Sequence, residues 1–434
     1  MRPQRRRPKP RPQGRPSAGS PAGPVVELMI DAVGGEGDGM AAGPVFVPFT
    51  LPGERVTAQG VGERRDLVEV LDPSTARIAP ACPHFTICGG CSLQHWDHTP
   101  YLAWKVERLV GTLARERVET EILTPYAAQP GTRRRVTLHA RRGDRDSARL
   151  GYKTRKSWDL VDIDVCPIAD PQIEAAIPAL KRLAARLFEH PKSAPSLHVT
   201  LTDTGLDVDI TGVEAKSGGL SADARMQLAE RAAEADFARV TLSSEVAYMS
   251  RLPQVRLGPA RVSLPPGAFL QATKGAETVM GHFVAQAAMG ATRIADLYSG
   301  VGTFTFSLAE IAPTHAVDFG PGAVAALSAA LSSAPGLKGV TVEARDLVRR
   351  PLLAHDLRHT DVAVFDPPRA GAAEQVAELA SSKVARVIGV SCNPATFARD
   401  ARTLIDAGFR LERLLPVDQF LWSSHIELVG VFER

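Results

Sequence analysis

The C-terminal third of the chain is constrained most by short apolar segments that alternate with helical ones. Four such segments read as buried strands: 294–297, 314–317, 361–365 and 387–391. Each ends in polar, Gly- or Pro-containing residues and is followed by a stretch that can form a helix. Strands that alternate with helices indicate a parallel sheet covered on both faces. We therefore predict an α/β domain over residues 266–434, with ligands at the carboxyl edge of its sheet.

A glycine-containing turn follows the first of these strands. It reads Asp-Leu-Tyr-Ser-Gly-Val-Gly-Thr over residues 296–303, and its glycines permit close approach of backbone to ligand. Asp318 ends the next strand, where a carboxylate can accept hydrogen bonds from ribose hydroxyls. Asp346 follows a third strand, in a position suited to an adenine edge. The missing third glycine argues against a dinucleotide and fits S-adenosylmethionine, which has no phosphate. A purely structural turn with solvated acids is the alternative.

Two further strand ends carry groups suited to chemistry on a pyrimidine. Asp366 opens Asp-Pro-Pro-Arg, and Cys392 opens Cys-Asn-Pro on the same predicted sheet edge. Uracil C5 is a poor nucleophile, but a thiolate that adds to C6 makes C5 enolate-like and able to take a sulfonium methyl. A base must then remove the C5 proton, and Glu427 is the best candidate. The alternative is an amino-methyltransferase using Asp-Pro-Pro, although that class has an aromatic residue where Arg369 stands.

Four of the five cysteines form a pattern typical of a metal centre. Cys82, Cys88 and Cys91 are clustered, and Cys166 lies far downstream before a proline. Four thiolates suit an iron–sulfur cluster or tetrahedral zinc, with unmetallated core cysteines as a third possibility. The odd cysteine count and the chain length argue against a disulfide framework, so we expect a cytoplasmic protein.

The N-terminal part divides into a tail, a barrel and a central region. Residues 1–23 carry seven cations and no acid, while the rest of the chain has a net charge of −4. We predict a disordered basic tail, either solubilising or phosphate-binding. Short strands over residues 24–80 predict a small β-barrel. Residues 81–265 form a central α/β domain that contains the cysteines and a helix at 101–117. No apolar run approaches the length of a membrane span.

The motifs together resemble the RNA uracil-C5 methyltransferase family, over nearly the whole chain after residue 24. They are Gly-Ala-Phe-Leu-Gln-Ala-Thr with Gln271, the turn of Tyr298 and Thr303, Asp-Pro-Pro-Arg, Ser-Cys-Asn-Pro and a terminal His-Ile-Glu. This sequence departs from the family pattern at three positions: it has Thr273 and Thr303 where Asn is usual, and Asp318 where Glu is usual.

The resemblance implies a fold and a set of roles. The fold is a Rossmann-like class I methyltransferase domain preceded by an OB-like TRAM barrel and a 4Fe–4S central domain, whose helix at 101–117 docks on the catalytic domain. Cys392 is the nucleophile and Glu427 the C5 base. Six residues surround the cofactor and the base, with Asp366 also touching the uracil: Gln271, Tyr298, Thr303, Asp318, Asp346 and Asp366. The four cluster ligands are Cys82, Cys88, Cys91 and Cys166.

We therefore expect methyl transfer from S-adenosylmethionine to C5 of a uridine in RNA, flipped out of its stack. By analogy with the barrel and cluster layout, 23S ribosomal RNA is favoured over transfer RNA. We expect no membrane association, and no protein partner is evident. The rivals are a transfer-RNA enzyme, an amino-methyltransferase without covalent catalysis, and an RNA-binding protein that has lost activity.

Overall fold

The computed structural model describes residues 23–144, 146–216 and 219–434, so the predicted basic tail lies outside the described residues, except for Gly23. The chain divides into two units, one ending at Arg77 and one running from Ile78 to Arg434. Within the described residues, no helix combines the length and apolar character that crossing a bilayer requires.

The first unit is a five-stranded antiparallel sheet. Its strands, in the spatial order β3-β2-β1-β4-β5, are β1 Val25–Val33, β2 Gly39–Ala41, β3 Val45–Val47, β4 Arg55–Gln59 and β5 Asp66–Asp72. Phe46 of β3 also bridges to Arg64, two residues before β5 begins. The two edges of the sheet are thus brought together in the manner of a barrel. The sheet has a small apolar core that includes Ile30, Val47 and Val56.

The second unit begins with a helix and two very short strands, which are followed by a seven-stranded mixed sheet. The first three elements are α1 His98–Arg115, β6 Glu121–Ile122 and β7 Tyr126–Ala127. The sheet has the order β10-β9-β8-β11-β12-β13-β14. Its elements in chain order are β8 Arg135–Arg142, β9 Ala148–Lys153, β10 Leu160–Asp162, α2 Pro171–Ala175, α3 Ile177–Ala184, β11 Ser196–Thr202, β12 Gly205–Thr211, α4 Ala222–Glu234, β13 Arg239–Leu242 and β14 Glu245–Met249.

A β-hairpin connects this seven-stranded sheet, the central sheet, to a larger nine-stranded sheet, the catalytic sheet. The remaining elements are β15 Gln254–Leu257, β16 Ala260–Ser263, α5 Lys274–Ala287, β17 Ile294–Leu297, α6 Thr305–Ile311, β18 Thr314–Asp318, α7 Pro321–Leu331, β19 Val340–Ala344, β20 Val362–Phe365, α8 Ala373–Ser381, β21 Arg386–Ser391, α9 Pro394–Asp406, β22 Arg410–Asp418 and β23 Glu427–Glu433. The large sheet has nine strands, with the order β19-β18-β17-β20-β21-β23-β22-β6 and β7 beside β22.

The large sheet is parallel from β19 to β21, and β23 then enters antiparallel between β21 and β22. The four central strands β17, β20, β21 and β23 are buried over nearly their whole lengths. Apolar residues pack against both faces, as expected for a sheet covered by helices on two sides. All five parallel strands therefore end at one edge, where ligands bind in open sheets of this kind.

The segment of α1, β6 and β7 belongs to this catalytic sheet although it precedes the central sheet in sequence. β6 and β7 pair in parallel with β22. On α1, Lys105 donates a 2.7 Å hydrogen bond to Asp418 at the end of β22, and both side chains are fully buried. The Arg108 guanidinium donates to the carbonyl of Ser424 at 3.0 Å. A buried ion pair thus ties the helix to the strand edge.

Candidate active site

The turn between β17 and α6 has the backbone shape that its sequence indicates. Gly300 and Gly302 have φ angles of 56° and 98°, and Tyr298 also lies in the left-handed region at 60°. A Cβ on Gly302 would lie 2.5 Å from the Phe306 ring, so only glycine fits there. Asp318 accepts the Gly300 amide at 2.9 Å and the Gly320 amide at 2.7 Å. This carboxylate therefore holds the turn in place at the edge of the sheet.

All eight residues proposed for catalysis and cofactor binding line one cavity of about 830 Å³ at the carboxyl edge of the parallel strands: Gln271, Tyr298, Thr303, Asp318, Asp346, Asp366, Cys392 and Glu427. Their individual roles stay predictions, but their placement around a common space is a fact of the fold. The cavity is also lined by Arg133, Arg135, Phe269 and Phe319.

Three neighbouring strands bring Asp366, Cys392 and Glu427 together. Asp366 directly follows β20, and Cys392 directly follows β21, which pairs in parallel with it. Glu427 is the first residue of β23, which pairs antiparallel with β21. Ser391 pairs with Leu428, so Cys392 and Glu427 are the next two positions beyond this pair. A thiol and two carboxyls therefore converge although Asp366 and Glu427 lie 61 positions apart in the sequence.

Gln419, which the sequence analysis did not identify, connects these groups. Its side-chain amide donates to Glu427 Oε2 and to Gln271 Oε1, each at 2.8 Å, and its Oε1 accepts the Ala272 amide at 2.7 Å. Gln271 in turn donates to Asp366 Oδ2 at 3.0 Å. The result is a hydrogen-bonded chain from Glu427 through two glutamines to Asp366. The only sequence signal for Gln419 is its position one residue past the end of β22.

The charge state of the site follows from burial. Burial raises the pKa of both Asp366 and Glu427, and the Asp366 charge raises that of Glu427 further. The pKa of the Cys392 thiol is raised to about 11 by burial and by the charges of Glu427 and Asp366, against an opposing effect of Arg369. The free site therefore holds a protonated thiol beside two carboxyls that repel one another.

Of the three consecutive arginines at 133–135, Arg133 and Arg135 line the cavity, whereas Arg134 makes structural contacts. Arg134 is buried, forms an ion pair with Glu277 and donates to the Gln271 carbonyl at 3.1 Å. Arg135 donates to the Leu270 carbonyl at 2.7 Å, and its guanidinium lies 4.9 Å from the centroid of the Phe269 ring. Arg134 therefore fixes the backbone that carries Gln271.

The four cysteines of the predicted metal centre line a second, smaller cavity, next to Tyr152. Burial raises the pKa of Cys91 to about 12, with the charges of Cys166, Cys88 and Cys82 contributing. The Gly90 amide donates to Cys88 Sγ at 3.4 Å. All five cysteines are free thiols. Within the part of the chain that the structure describes, no group of three or more His, Cys, Asp or Glu side chains is arranged to hold a metal ion.

Comparison with known proteins places this architecture among RNA-modifying enzymes. The family described as tRNA (Uracil-5-)-methyltransferase matches residues 260–434. A relative from Caulobacter vibrioides named as an uncharacterized RNA methyltransferase is 60% identical, over 94% of this chain and all of the relative. The 23S rRNA (uracil(1939)-C(5))-methyltransferase RlmD of Vibrio vulnificus is 27% identical, over 94% of this chain and 96% of that protein.

The fold has a counterpart among solved structures. The crystal structure of Pyrococcus abyssi tRNA (uracil-54, C5)-methyltransferase in complex with S-adenosyl-L-homocysteine superposes with a TM-score of 0.69 and 23% identity, and the match covers 94% of this chain and all of that one. The chain is thus an S-adenosylmethionine-dependent RNA methyltransferase, and it belongs to the RNA uracil-C5 methyltransferase family.

Proposed function

We propose that this enzyme methylates C5 of a uridine in 23S ribosomal RNA through a covalent bond between Cys392 and C6 of the uracil. The observation that carries the proposal is the convergence of Cys392, Glu427 and Asp366 in the cavity that is also lined by Gly300 and Val301 of the glycine turn. A thiol, two carboxyls and a glycine turn share one space, and this arrangement supports the two-step chemistry.

The residues divide the reaction into addition, methyl transfer and elimination. Cys392 Sγ, after releasing its proton to solvent, forms a bond to C6, and the electron pair of the C5–C6 double bond moves to C5 and the O4 enolate. S-adenosylmethionine supplies an electrophilic methyl group at its sulfonium, which C5 takes. Glu427 then accepts the C5 proton, the C5–C6 double bond re-forms, and the C6–S bond breaks to return the Cys392 thiolate. Asp366 contacts the uracil and fixes its orientation.

The electrostatics of the site suit these roles. The raised pKa of Glu427 makes this carboxylate a stronger proton acceptor than an exposed glutamate. Burial and the neighbouring carboxylates keep Cys392 protonated in the free site, and the sulfonium, as a cation, favours the ionised thiolate when it binds. Around the donor we assign Asp318 to the ribose hydroxyls and Asp346 to the adenine edge, with Gln271, Tyr298 and Thr303 completing the site.

We also propose that Cys82, Cys88, Cys91 and Cys166 hold a 4Fe–4S cluster. Four thiols around one cavity are the usual donor set of such a cluster. The hydrogen bond from the Gly90 amide to Cys88 Sγ is of the kind that tunes cluster sulfurs. Tetrahedral zinc is the alternative for the same four thiolates. Free thiols and a cluster suit a cytoplasmic protein. The barrel of the first unit is proposed as a TRAM-type RNA-binding module.

The choice of RNA rests on the relatives. The RlmD protein, whose name specifies 23S rRNA, matches over nearly the whole length of both chains. The alternative is transfer RNA, which is the substrate in the name of the Pyrococcus abyssi enzyme. Mapping 5-methyluridine in both RNA classes from a strain that lacks this gene distinguishes them, because the modified position disappears from only one.

The mechanism is tested by two substitutions that should fail differently. Cys392→Ala should abolish methyl transfer, since C5 is never activated. Glu427→Gln should add the thiol and accept the methyl but then stall, and should accumulate a protein–RNA adduct that survives denaturation. Glu412→Gln, an ion-paired glutamate on the neighbouring strand, serves as the control and should turn over normally.

Two results would overturn this mechanism. Near wild-type methylation by Cys392→Ala would favour an amino-methyltransferase without covalent catalysis. Normal turnover by Glu427→Gln would keep the nucleophile and require another base. RNA with 5-fluorouracil at the target gives an independent check, because fluorine cannot leave as a cation and the wild-type enzyme should be trapped through Cys392.

A further inference from the structure

The turn between β9 and β10 presents a tryptophan to solvent. Trp158 is 77% exposed, the highest fraction among the exposed large hydrophobic side chains of the described residues. Lys153 Nζ lies 3.9 Å from the centroid of the Trp158 ring, so one indole face is covered by a cation. The high exposure leaves the other face open to a ligand.

The turn that carries Trp158 is held in one conformation. The Thr154 amide donates to the Asp159 carbonyl at 2.8 Å, and the Ser157 hydroxyl donates to Asp159 Oδ2 at 2.9 Å. The turn is also tied to the cysteine loop, because the Gly89 amide donates to the Lys153 carbonyl at 2.9 Å. A Cβ on Gly89 would lie 2.8 Å from that carbonyl oxygen, so the two loops are in close contact. The indole is therefore preorganised rather than on a loose loop.

The composition of this turn identifies the kind of ligand. Residues 153–159 contain three cations and one acid, and Trp158 is their only apolar residue. A protein interface needs a contiguous apolar patch around an aromatic anchor, which this turn does not supply. An aromatic face beside several cations is instead the arrangement that binds unpaired nucleotides, with the base stacked and the phosphates near the charges.

We propose that the open face of Trp158 stacks on an unpaired base of the substrate RNA, while Lys153, Arg155 and Lys156 attract the flanking phosphates. This inference rests on the proposed function and adds a second RNA contact on the central sheet, outside the catalytic cavity. Such a contact would help select a looped or single-stranded region near the target uridine, because only unpaired bases offer a free face.

The experiment compares Trp158→Ala, Trp158→Leu and Trp158→Phe in the full-length chain, with oligouridylate as the binding probe. Removing a base-stacking aromatic weakens single-strand binding by about 5- to 150-fold, so Ala and Leu should lose affinity in this range. Phe should retain most of the affinity because its ring still stacks. Met226→Ala removes another exposed apolar side chain, on α4, and should bind like wild type.

Tryptophan fluorescence supplies a second readout. The chain has four tryptophans; Trp96 and Trp104 are buried and Trp422 is half-buried, so a quencher in solution reports mainly on Trp158. RNA should quench the emission and protect it from acrylamide in wild type, and this response should be absent in Trp158→Phe.

The outcomes separate this proposal from the proposed function. Suppose that wild type forms 5-methyluridine but all three variants bind oligouridylate as tightly as wild type does. The stacking site is then wrong and the proposed function stands, and the same holds if bound RNA leaves Trp158 accessible to acrylamide. Equal affinity of the Leu and Phe variants also overturns it, since stacking requires a ring. If wild type modifies no uridine, the proposed function itself fails.

Discussion

Replacing Gln419 by Met should impair the elimination step in a pH-dependent way. Methionine keeps the length of the side chain but cannot donate to Glu427 Oε2 or Gln271 Oε1, or accept from the Ala272 amide. The bond from Gln419 lowers the pKa of Glu427, because it stabilises the ionised carboxylate. Its loss should raise that pKa, so a larger fraction of Glu427 is protonated at any given pH and cannot accept the C5 proton.

The magnitude follows from the energy of the lost bond. A hydrogen bond to a charged group contributes about 1.5–3 kcal/mol, and one pKa unit corresponds to about 1.4 kcal/mol. The acid limb of the elimination rate should therefore move up by about one to two pH units, with a roughly 10- to 100-fold loss on that limb. Activity should recover as the pH is raised, in contrast to Glu427→Gln, which has no carboxylate to ionise.

The assay is single-turnover resolution of the covalent protein–RNA adduct across a range of pH. Gln375→Met is the matched control, because Gln375 is fully buried and its side chain bonds to the backbone of Leu352, outside the hydrogen-bonded chain. Both variants should lose stability, since each leaves buried groups unpaired at about 1–3 kcal/mol each. Overlapping pH profiles of the two variants would refute the idea that Gln419 tunes Glu427.

Three further predictions follow from the structure. Because the thiol pKa is raised to about 11, Cys392 should react slowly with iodoacetamide at neutral pH and faster as the pH rises; rapid alkylation at neutral pH in site-resolved mass spectrometry would contradict this. Anaerobically purified protein should contain about four irons, and Cys88→Ser should lose iron and melt at lower temperature; stoichiometric zinc without iron would exclude the cluster. Lys105→Met should destabilise the fold in urea by about 3–5 kcal/mol, whereas combining it with Asp418→Asn should recover much of the loss.

Element positions in the sheets were largely predictable from the sequence because strands are short apolar runs bounded by turn residues. Residues 24–80, where short strands were predicted, contain the five strands β1 to β5. The segment 173–188 has a continuous apolar period but forms parts of two helices and a 3-10 turn, because Pro178 lacks an amide proton. The strands β6 and β7 have two residues each and form through pairing with β22, so no local pattern could indicate them.

Placement of the site residues was predictable for a related reason. Each of Asp318, Asp366 and Cys392 lies at the end of a parallel strand, and such ends meet at one edge of the sheet. Gln419 could not be predicted in the same way, because a glutamine after a strand has no ligand signature and acts only through its hydrogen bonds. The role of Arg134 could not be predicted from the sequence either. Within a run of three arginines, only tertiary packing distinguishes the buried one from its neighbours.

The family match begins at residue 260, yet the catalytic sheet extends beyond that segment. Its outer strand β22 pairs with β6 and β7, and the buried carboxylate of Asp418 is compensated by Lys105 of α1. A buried carboxylate without a cation is strongly destabilising. Asp418 directly precedes Gln419, so a shift at this strand end would move the amide that positions Glu427. The base of the proposed reaction is therefore held in place by a helix that precedes the central sheet in the chain, and the C-terminal segment alone lacks part of its own active-site support.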